Sequence, residues 1–261
     1  MAHLARYKES HPLVFVVTHW INLICCILLI ISGLLIHFPF LANVTGICRG
    51  VHITCGIILL INLVVRIILS FFVKDTQVGG TREGADRDIK NFLPNKRNRH
   101  QLLSWIKYYL FLKKDHPTGT KFGSLQKICY FLVPFLILAL GASGFCLWGT
   151  TSSWAWCEWL TNLVGGAMNM RIIHYTLMWV MIVFIIIHVY LATIEGKADV
   201  NIMLFHKESP GMVTDPRTGK VIGKDEMGMG PLPYDEDEEV EPKKSKKDKA
   251  AKADSKEKAA N

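Results

Sequence analysis

Apolar and polar positions fall in long blocks along this chain, not in the short periods of a soluble helix or strand. Four blocks are almost continuously apolar, at residues 13–36, 51–73, 128–148 and 172–194. A run of about 20 apolar residues crosses the roughly 30 Å hydrocarbon core of a bilayer. The pattern therefore predicts an all-α integral membrane protein, a bundle of four transmembrane helices. The first block is too long for a cleavable signal peptide, and no small-residue cleavage site follows it.

The polar blocks carry smaller features. Residues 100–114 set apolar and aromatic side chains in a charged frame, which predicts an amphipathic helix on the membrane surface. Residues 149–169 hold Trp154, Trp156 and Trp159 just after Trp148. Tryptophan favours the membrane–water boundary, so this loop reads as interfacial. The transmembrane domain is expected to end near residue 205. Residues 206–261 then form a tail. The Gly- and Pro-rich stretch 196–234 suits an extended arm, and the charged run 235–261 suits disorder.

Composition agrees with the pattern. Half of the 261 residues are hydrophobic, and the mean hydropathy is positive. The net charge of +8 would by itself admit nucleic acid as a partner. The basic residues flank the apolar blocks, however, so topology explains them better and no nucleic acid is expected. Two Lys or Arg precede the first span, Arg49 stands alone in the first loop, twelve lie in the second loop, none in the third and thirteen in the tail. Lys and Arg accumulate on the cytoplasmic side. Both termini and the long second loop are therefore expected inside, with the two poorly charged loops outside, in a multi-pass protein of the bacterial cytoplasmic membrane.

Seven cysteines include no CxxC pair and no CxxCH. That pattern argues against an iron–sulfur cluster, a zinc ribbon or covalently attached heme. Most of these cysteines lie in or beside spans, where the thiol acts as a small hydrophobe.

Histidine carries the chemistry. An ionisable residue in a bilayer is costly and marks a functional site by default. His19, His52, His174 and His188 all lie in spans. With the N-terminus inside, His19 and His188 fall toward the inner face, and His52 and His174 toward the outer face. His174 and His188 are fourteen residues apart on one helix, a rise of roughly 21 Å with a rotation only about 40° short of whole turns. Span four can therefore offer one ligand to each of two stacked cofactors. Span one completes the inner pair, His19 with His188, and span two the outer pair, His52 with His174. Two imidazoles on one iron porphyrin make a low-spin, electron-transferring heme. The expectation is two non-covalent b hemes. Zinc fits less well, because four ligands would have to converge on one point.

Arg49 and Arg171 each stand three residues before an outer histidine. Heme propionates are anionic, and guanidinium groups pair well with carboxylates. Both arginines are expected on the outer heme's propionates, against the alternative that they are simple boundary charges. Arg66, near the inner boundary, either snorkels or serves the inner heme. Gly33, Gly56, Gly141 and Gly144 suit a flat macrocycle, although for any one of them ordinary helix packing is an equally good reading. The other six histidines (3, 11, 37, 100, 116 and 206) are expected at solvated surface.

This ligand order, one His in each of spans one and two and two in span four, resembles the diheme cytochrome b subunit of respiratory formate dehydrogenases. Nickel–iron hydrogenase and thiosulfate reductase b-type cytochromes are related to it. The likeness covers roughly residues 10–205. It rests on His19, on Arg49 with His52, on the run 121–127 before span three, and on His174 with His188. The resemblance implies an iron–sulfur subunit and a catalytic subunit (molybdenum/tungsten or nickel–iron) as partners, with membrane lipid around the chain. It implies electron flow from outer to inner heme. It also implies a menaquinone or ubiquinone site at Gly123, Gln126, Lys127 and His188. Phe122-Gly123 stand where formate dehydrogenase relatives often have Tyr-Asn, while Gln126 and Lys127 keep the pattern.

The chain has no iron–sulfur, flavin or molybdenum motif, and no Gly-rich phosphate loop after a strand. It is expected to act as the quinone-reactive membrane subunit of an oxidoreductase, not as the site of primary substrate oxidation. A stand-alone quinone or superoxide oxidoreductase of the small cytochrome b561 type is one alternative. A non-enzymatic membrane anchor is the other.

Overall fold

A computed structural model describes residues 11–39, 42–75, 86–92, 101–113, 124–195, 197–207, 211–214 and 221–225. Four of its helices are long and apolar enough to cross a membrane. They are α1 (Leu13–His37), α2 (Thr45–Phe72), α5 (Ser124–Leu147) and α7 (Ala167–Glu195). Between α2 and α5 lie a two-residue hairpin, β1 (Lys74–Asp75) and β2 (Asp86–Arg87), and two short helices, α3 (Ile89–Phe92) and α4 (Leu102–Tyr109). Helix α6 (Ala155–Leu163) follows α5, and α8 (Lys197–Phe205) follows α7.

Three of the four long helices, α2, α5 and α7, begin earlier than their apolar blocks do. Helix α2 takes in residues 45–50 and α7 takes in 167–171, including Arg49 and Arg171. The apolar blocks measure the lipid core, whereas backbone hydrogen bonding continues about one turn into the polar boundary. Among the described residues of the amphipathic stretch 100–114, the helix runs from Leu102 to Tyr109. The chain turns at Phe111, whose φ is +58°. Trp105 and Tyr109 are buried there, while Leu103, Ile106 and Leu110 stay exposed.

The stretch 196–234 is not simply an extended arm. It opens with helix α8 and continues in an antiparallel hairpin, β3 (Gly211–Thr214) with β4 (Val221–Asp225). The helical residues 197–205 precede the hairpin. Residues 226–261, including the expected disordered run, lie outside the described residues.

Helix α1 packs chiefly on α2 and α5 on α7, and α2 with α5 joins the two pairs. The core is small and centred on Cys25, Cys55, Leu59, Leu63, Ile137 and Met181. Large side chains such as Ile61, Phe131, Val183 and Ile186 face outward. Helices apolar on all sides are stable in this arrangement when lipid replaces water around them.

Several buried hydroxyl groups are satisfied within their own helix. Thr18, Ser32, Ser70 and Ser143 each donate a hydroxyl proton back to a carbonyl of their own helix. Asn62 on α2 donates to the Thr18 carbonyl at 2.8 Å and to Asn22 Oδ1 at 2.6 Å, both on α1. At the end of the bundle where α1 begins, Arg66 pairs with Asp88 at 2.7 Å. Its guanidinium also lies 3.9 Å over the Phe15 ring. At the opposite end, α6 closes on Gly165 and Gly166, with φ of +87° and +109°. Their amides bond the Asn162 and Thr161 carbonyls, a glycine-terminated helix end.

Candidate functional site

The four histidines sit at two levels. His19 lies six residues into α1, and His188 seven before the end of α7. His52 and His174 each lie seven residues into their helices. Successive long helices run in opposite directions, so these positions bring His19 level with His188 and His52 level with His174.

The rings meet in those combinations. The imidazole centroids of His19 and His188 are 6.4 Å apart. Those of His52 and His174 are 6.2 Å apart. This spacing has a direct chemical meaning. An imidazole nitrogen lies about 2 Å from a first-row metal ion. In a ring with bonds of about 1.33 Å, each nitrogen is about 1.1 Å from the centroid. Two imidazoles on opposite sides of one ion therefore have centroids about 6.2 Å apart. Ordinary ring contacts also span about 4.5–7 Å, so the weight of this spacing lies in its recurrence at two matched levels of one bundle. Among the described residues no group of three or more His, Cys, Asp or Glu gathers to hold a bare metal ion. Two ligands per level suit a metal whose other ligands come with a macrocycle.

The His52/His174 level is built with a repeated device. Ser32 Oγ lies 3.0 Å from His52 Nδ1. Ser143 Oγ lies 2.8 Å from His174 Nδ1. The direction of these bonds follows from the serine protons. Ser32 gives its proton to the Leu28 carbonyl at 2.6 Å, and Ser143 gives its own to the Ala139 carbonyl at 2.8 Å. Each hydroxyl oxygen is left as an acceptor, so each ring is assigned its proton on Nδ1. Backbone acceptors beside the rings, Leu29 for His52 and Leu140 for His174, agree. The Nε2 lone pair is then free to bind metal.

A glycine follows each serine. A β-carbon at Gly33 would lie 3.2 Å from His52 Cε1, and one at Gly144 would lie 3.5 Å from His174 Cε1. Gly141 serves packing instead, because a β-carbon there would meet the Leu60 methyls at 2.9 Å. Gly56 has only Leu29 nearby, at 4.0 Å.

The His19/His188 level lacks this device. His19 Nδ1 is buried and has no hydrogen-bond partner among the described residues. The Phe184 ring stacks on His188 at 5.8 Å and 20°. Arg66, two candidate roles open from sequence, is held at this end of the bundle by Asp88 and Phe15.

Arg49 and Arg171 are exposed on the first turns of α2 and α7, at the His52/His174 end. No ion pair engages either among the described residues. Gln126 and Lys127 are half-buried in the first turn of α5. Gly123 lies outside the described residues. Of the histidines expected at solvated surface, His37 is exposed as expected and His206 departs from the expectation. The exposed His37 ring stacks on Tyr175 at 4.1 Å and 12°. His206 is half-buried, with its Nδ1 enclosed.

Sequence reasoning missed Ser32 and Ser143. Both are carried by a Ser-Gly dipeptide late in a span, 32–33 and 143–144, and that repeat was the available signal.

Comparison with known proteins gives a consistent picture. Residues 10–206 match the family model described as prokaryotic cytochrome b561. A protein of Azotobacter vinelandii, described as a probable Ni/Fe-hydrogenase B-type cytochrome subunit, is 26% identical over 195 residues, covering 68% of this chain and 76% of that one. Proteins with the same description from Rhodobacter capsulatus (24% over 196 residues, 69% and 71%) and Bradyrhizobium diazoefficiens (25% over 199 residues, 69% and 75%) are also similar.

Proposed function

The chain belongs to the prokaryotic cytochrome b561 family, and from that premise we propose that it carries electrons across a membrane on two b hemes. The observation that carries this reading is the spacing of two histidine pairs, 6.4 Å and 6.2 Å, at two levels of one bundle. His19 and His188 hold one heme, and His52 and His174 the other. Each heme supplies a one-electron iron couple with two imidazole ligands. The protein sets the ligand tautomers through Ser32 and Ser143 and leaves room at Gly33 and Gly144. It offers Arg49 and Arg171 to the propionates of the His52/His174 heme.

The Lys and Arg asymmetry supports both termini on the cytoplasmic side of a bacterial inner membrane. The His19/His188 heme is then the inner one. Electrons from the partner would enter on the side of His52 and His174 and leave for menaquinone or ubiquinone on the side of His19 and His188. Gly123, Gln126 and Lys127, with His188, are the proposed quinone contacts. Quinone reduction there takes up protons from the inner side, so charge separation across the bundle contributes to a proton gradient.

The donor is an iron–sulfur subunit beside a catalytic subunit. The descriptions of the relatives favour a nickel–iron hydrogenase over a molybdenum or tungsten formate dehydrogenase. Purification of the chain from its native membrane tests the reading. The expected result is two hemes per chain by pyridine hemochrome, iron–sulfur and nickel–iron subunits in stoichiometric amount, and hydrogen-dependent quinone reduction. Absence of heme would overturn it.

A further inference from the structure

The two levels of the bundle are chemically unlike, and that difference bears on heme potential. We infer that Ser32 and Ser143 are positioning residues that lower the reduction potential of the outer heme by drawing on the Nδ1 protons of both of its ligands. This inference rests on the proposed ligation of that heme by His52 and His174.

The argument starts with the serine protons. Each is committed to a main-chain carbonyl one turn back, Leu28 for Ser32 and Ala139 for Ser143, at 2.6 and 2.8 Å. A hydroxyl that donates to a carbonyl is polarised and becomes a better acceptor. It receives the imidazole N–H at 3.0 Å for His52 and 2.8 Å for His174. Pulling that proton away from the ring raises electron density at Nε2, which makes the imidazole a more basic ligand. A more basic axial ligand stabilises ferric over ferrous iron, so the potential falls. Axial ligation and hydrogen bonding around it are among the protein's means of setting such a potential.

At the inner level His19 Nδ1 has no partner among the described residues. The inner heme therefore serves as an internal control. The geometry also explains the glycines beside the serines. The helix backbone must come close to the ring edge for the hydroxyl to reach Nδ1, and the approach is tight at Gly33, where a β-carbon would stand 3.2 Å from His52 Cε1, and ordinary at Gly144, at 3.5 Å from His174 Cε1.

The test is a potentiometric titration of the purified complex, with the outer heme identified by its loss in His52→Ala. Ser32→Val and Ser143→Val remove the hydroxyl acceptor and leave only the Leu29 and Leu140 carbonyls beside the rings, while Ser32→Thr and Ser143→Thr keep the hydroxyl in nearly the same shape. Heme content is measured first, because a chain without heme defeats the ligation and leaves the potential undefined. With both hemes bound, the Val variants should raise the outer midpoint, the double variant should raise it further, and the Thr variants should stay near the parent. The inner midpoint should not move in any of them. Equal midpoints in Val and Thr variants, a fall in place of a rise, or a shift of the inner heme alone would overturn the inference. So would loss of the outer heme in the Val variants with retention in the Thr variants, since the hydroxyls would then serve assembly.

Discussion

His52 and His174 face one another with ring centroids 6.2 Å apart, and the Nδ1 of each is bonded to a serine of a third or fourth helix. All four long helices thus converge on this level: α2 and α7 with the rings, α1 and α5 with the hydroxyls. Convergence of that kind fixes ring position from both sides, which a metal site needs if its ligands are to be held in place before the metal binds.

The two glycines at this level should differ in tolerance. A methyl at Gly33 would stand 3.2 Å from His52 Cε1, closer than ordinary contact, whereas at Gly144 the distance to His174 Cε1 is 3.5 Å. Gly33→Ala should disturb the outer heme spectrum, and Gly144→Ala should leave it close to the parent. Optical spectra of the two purified variants check this, and equal disturbance in both would contradict the ring positions.

Arg49 and Arg171 should tune the same heme in the opposite sense to the serines. A positive charge near the propionates favours the reduced form. Arg49→Gln and Arg171→Gln should each lower the outer midpoint and spare the inner one. An unchanged outer midpoint in both variants would make these arginines boundary charges only.

The ion pair of Arg66 with Asp88 predicts a stability effect. The Asp88 side chain is 1% exposed and that of Arg66 25%. Removing one partner of a buried pair leaves an uncompensated charge and costs about 3–5 kcal/mol. Arg66→Ala should therefore lower the temperature at which the heme spectrum is lost in detergent. Arg66→Ala combined with Asp88→Asn should recover much of that loss. A single variant as heat-stable as the parent would show that the pair contributes little.

Cys157 should be inert in the folded protein. It is fully buried beside Cys146 and Met170. Burial, reinforced by the Cys146 thiol, pushes its pKa up to about 11. The thiolate is the reactive form, so maleimide near neutral pH should spare Cys157 until the protein is unfolded. Peptide mass mapping reads the outcome, and rapid labelling of the native protein would contradict the burial.

Much of this arrangement was legible from the chain. Continuous apolar blocks could only be long membrane helices, and alternating helix direction places His19 level with His188 and His52 level with His174. What the sequence concealed was local. Helix ends at Thr45 and Ala167 depend on backbone hydrogen bonds that hydropathy does not register. The helical stretch 197–205 lies beside glycines and prolines that pointed to an extended arm. Ser32 and Ser143 read as small packing residues, because their role depends on which ring lies across the helix interface. Likewise the stacking of the exposed His37 ring on Tyr175 was hidden because the two are distant in sequence.

The most direct test of the two-heme arrangement is the low-temperature optical spectrum of four single variants: His19→Ala, His52→Ala, His174→Ala and His188→Ala. The expected result is that His19→Ala and His188→Ala lose one heme signal, and that His52→Ala and His174→Ala lose the other. Matching spectra from His19→Ala and His174→Ala, or one heme signal in the parent protein, would contradict it.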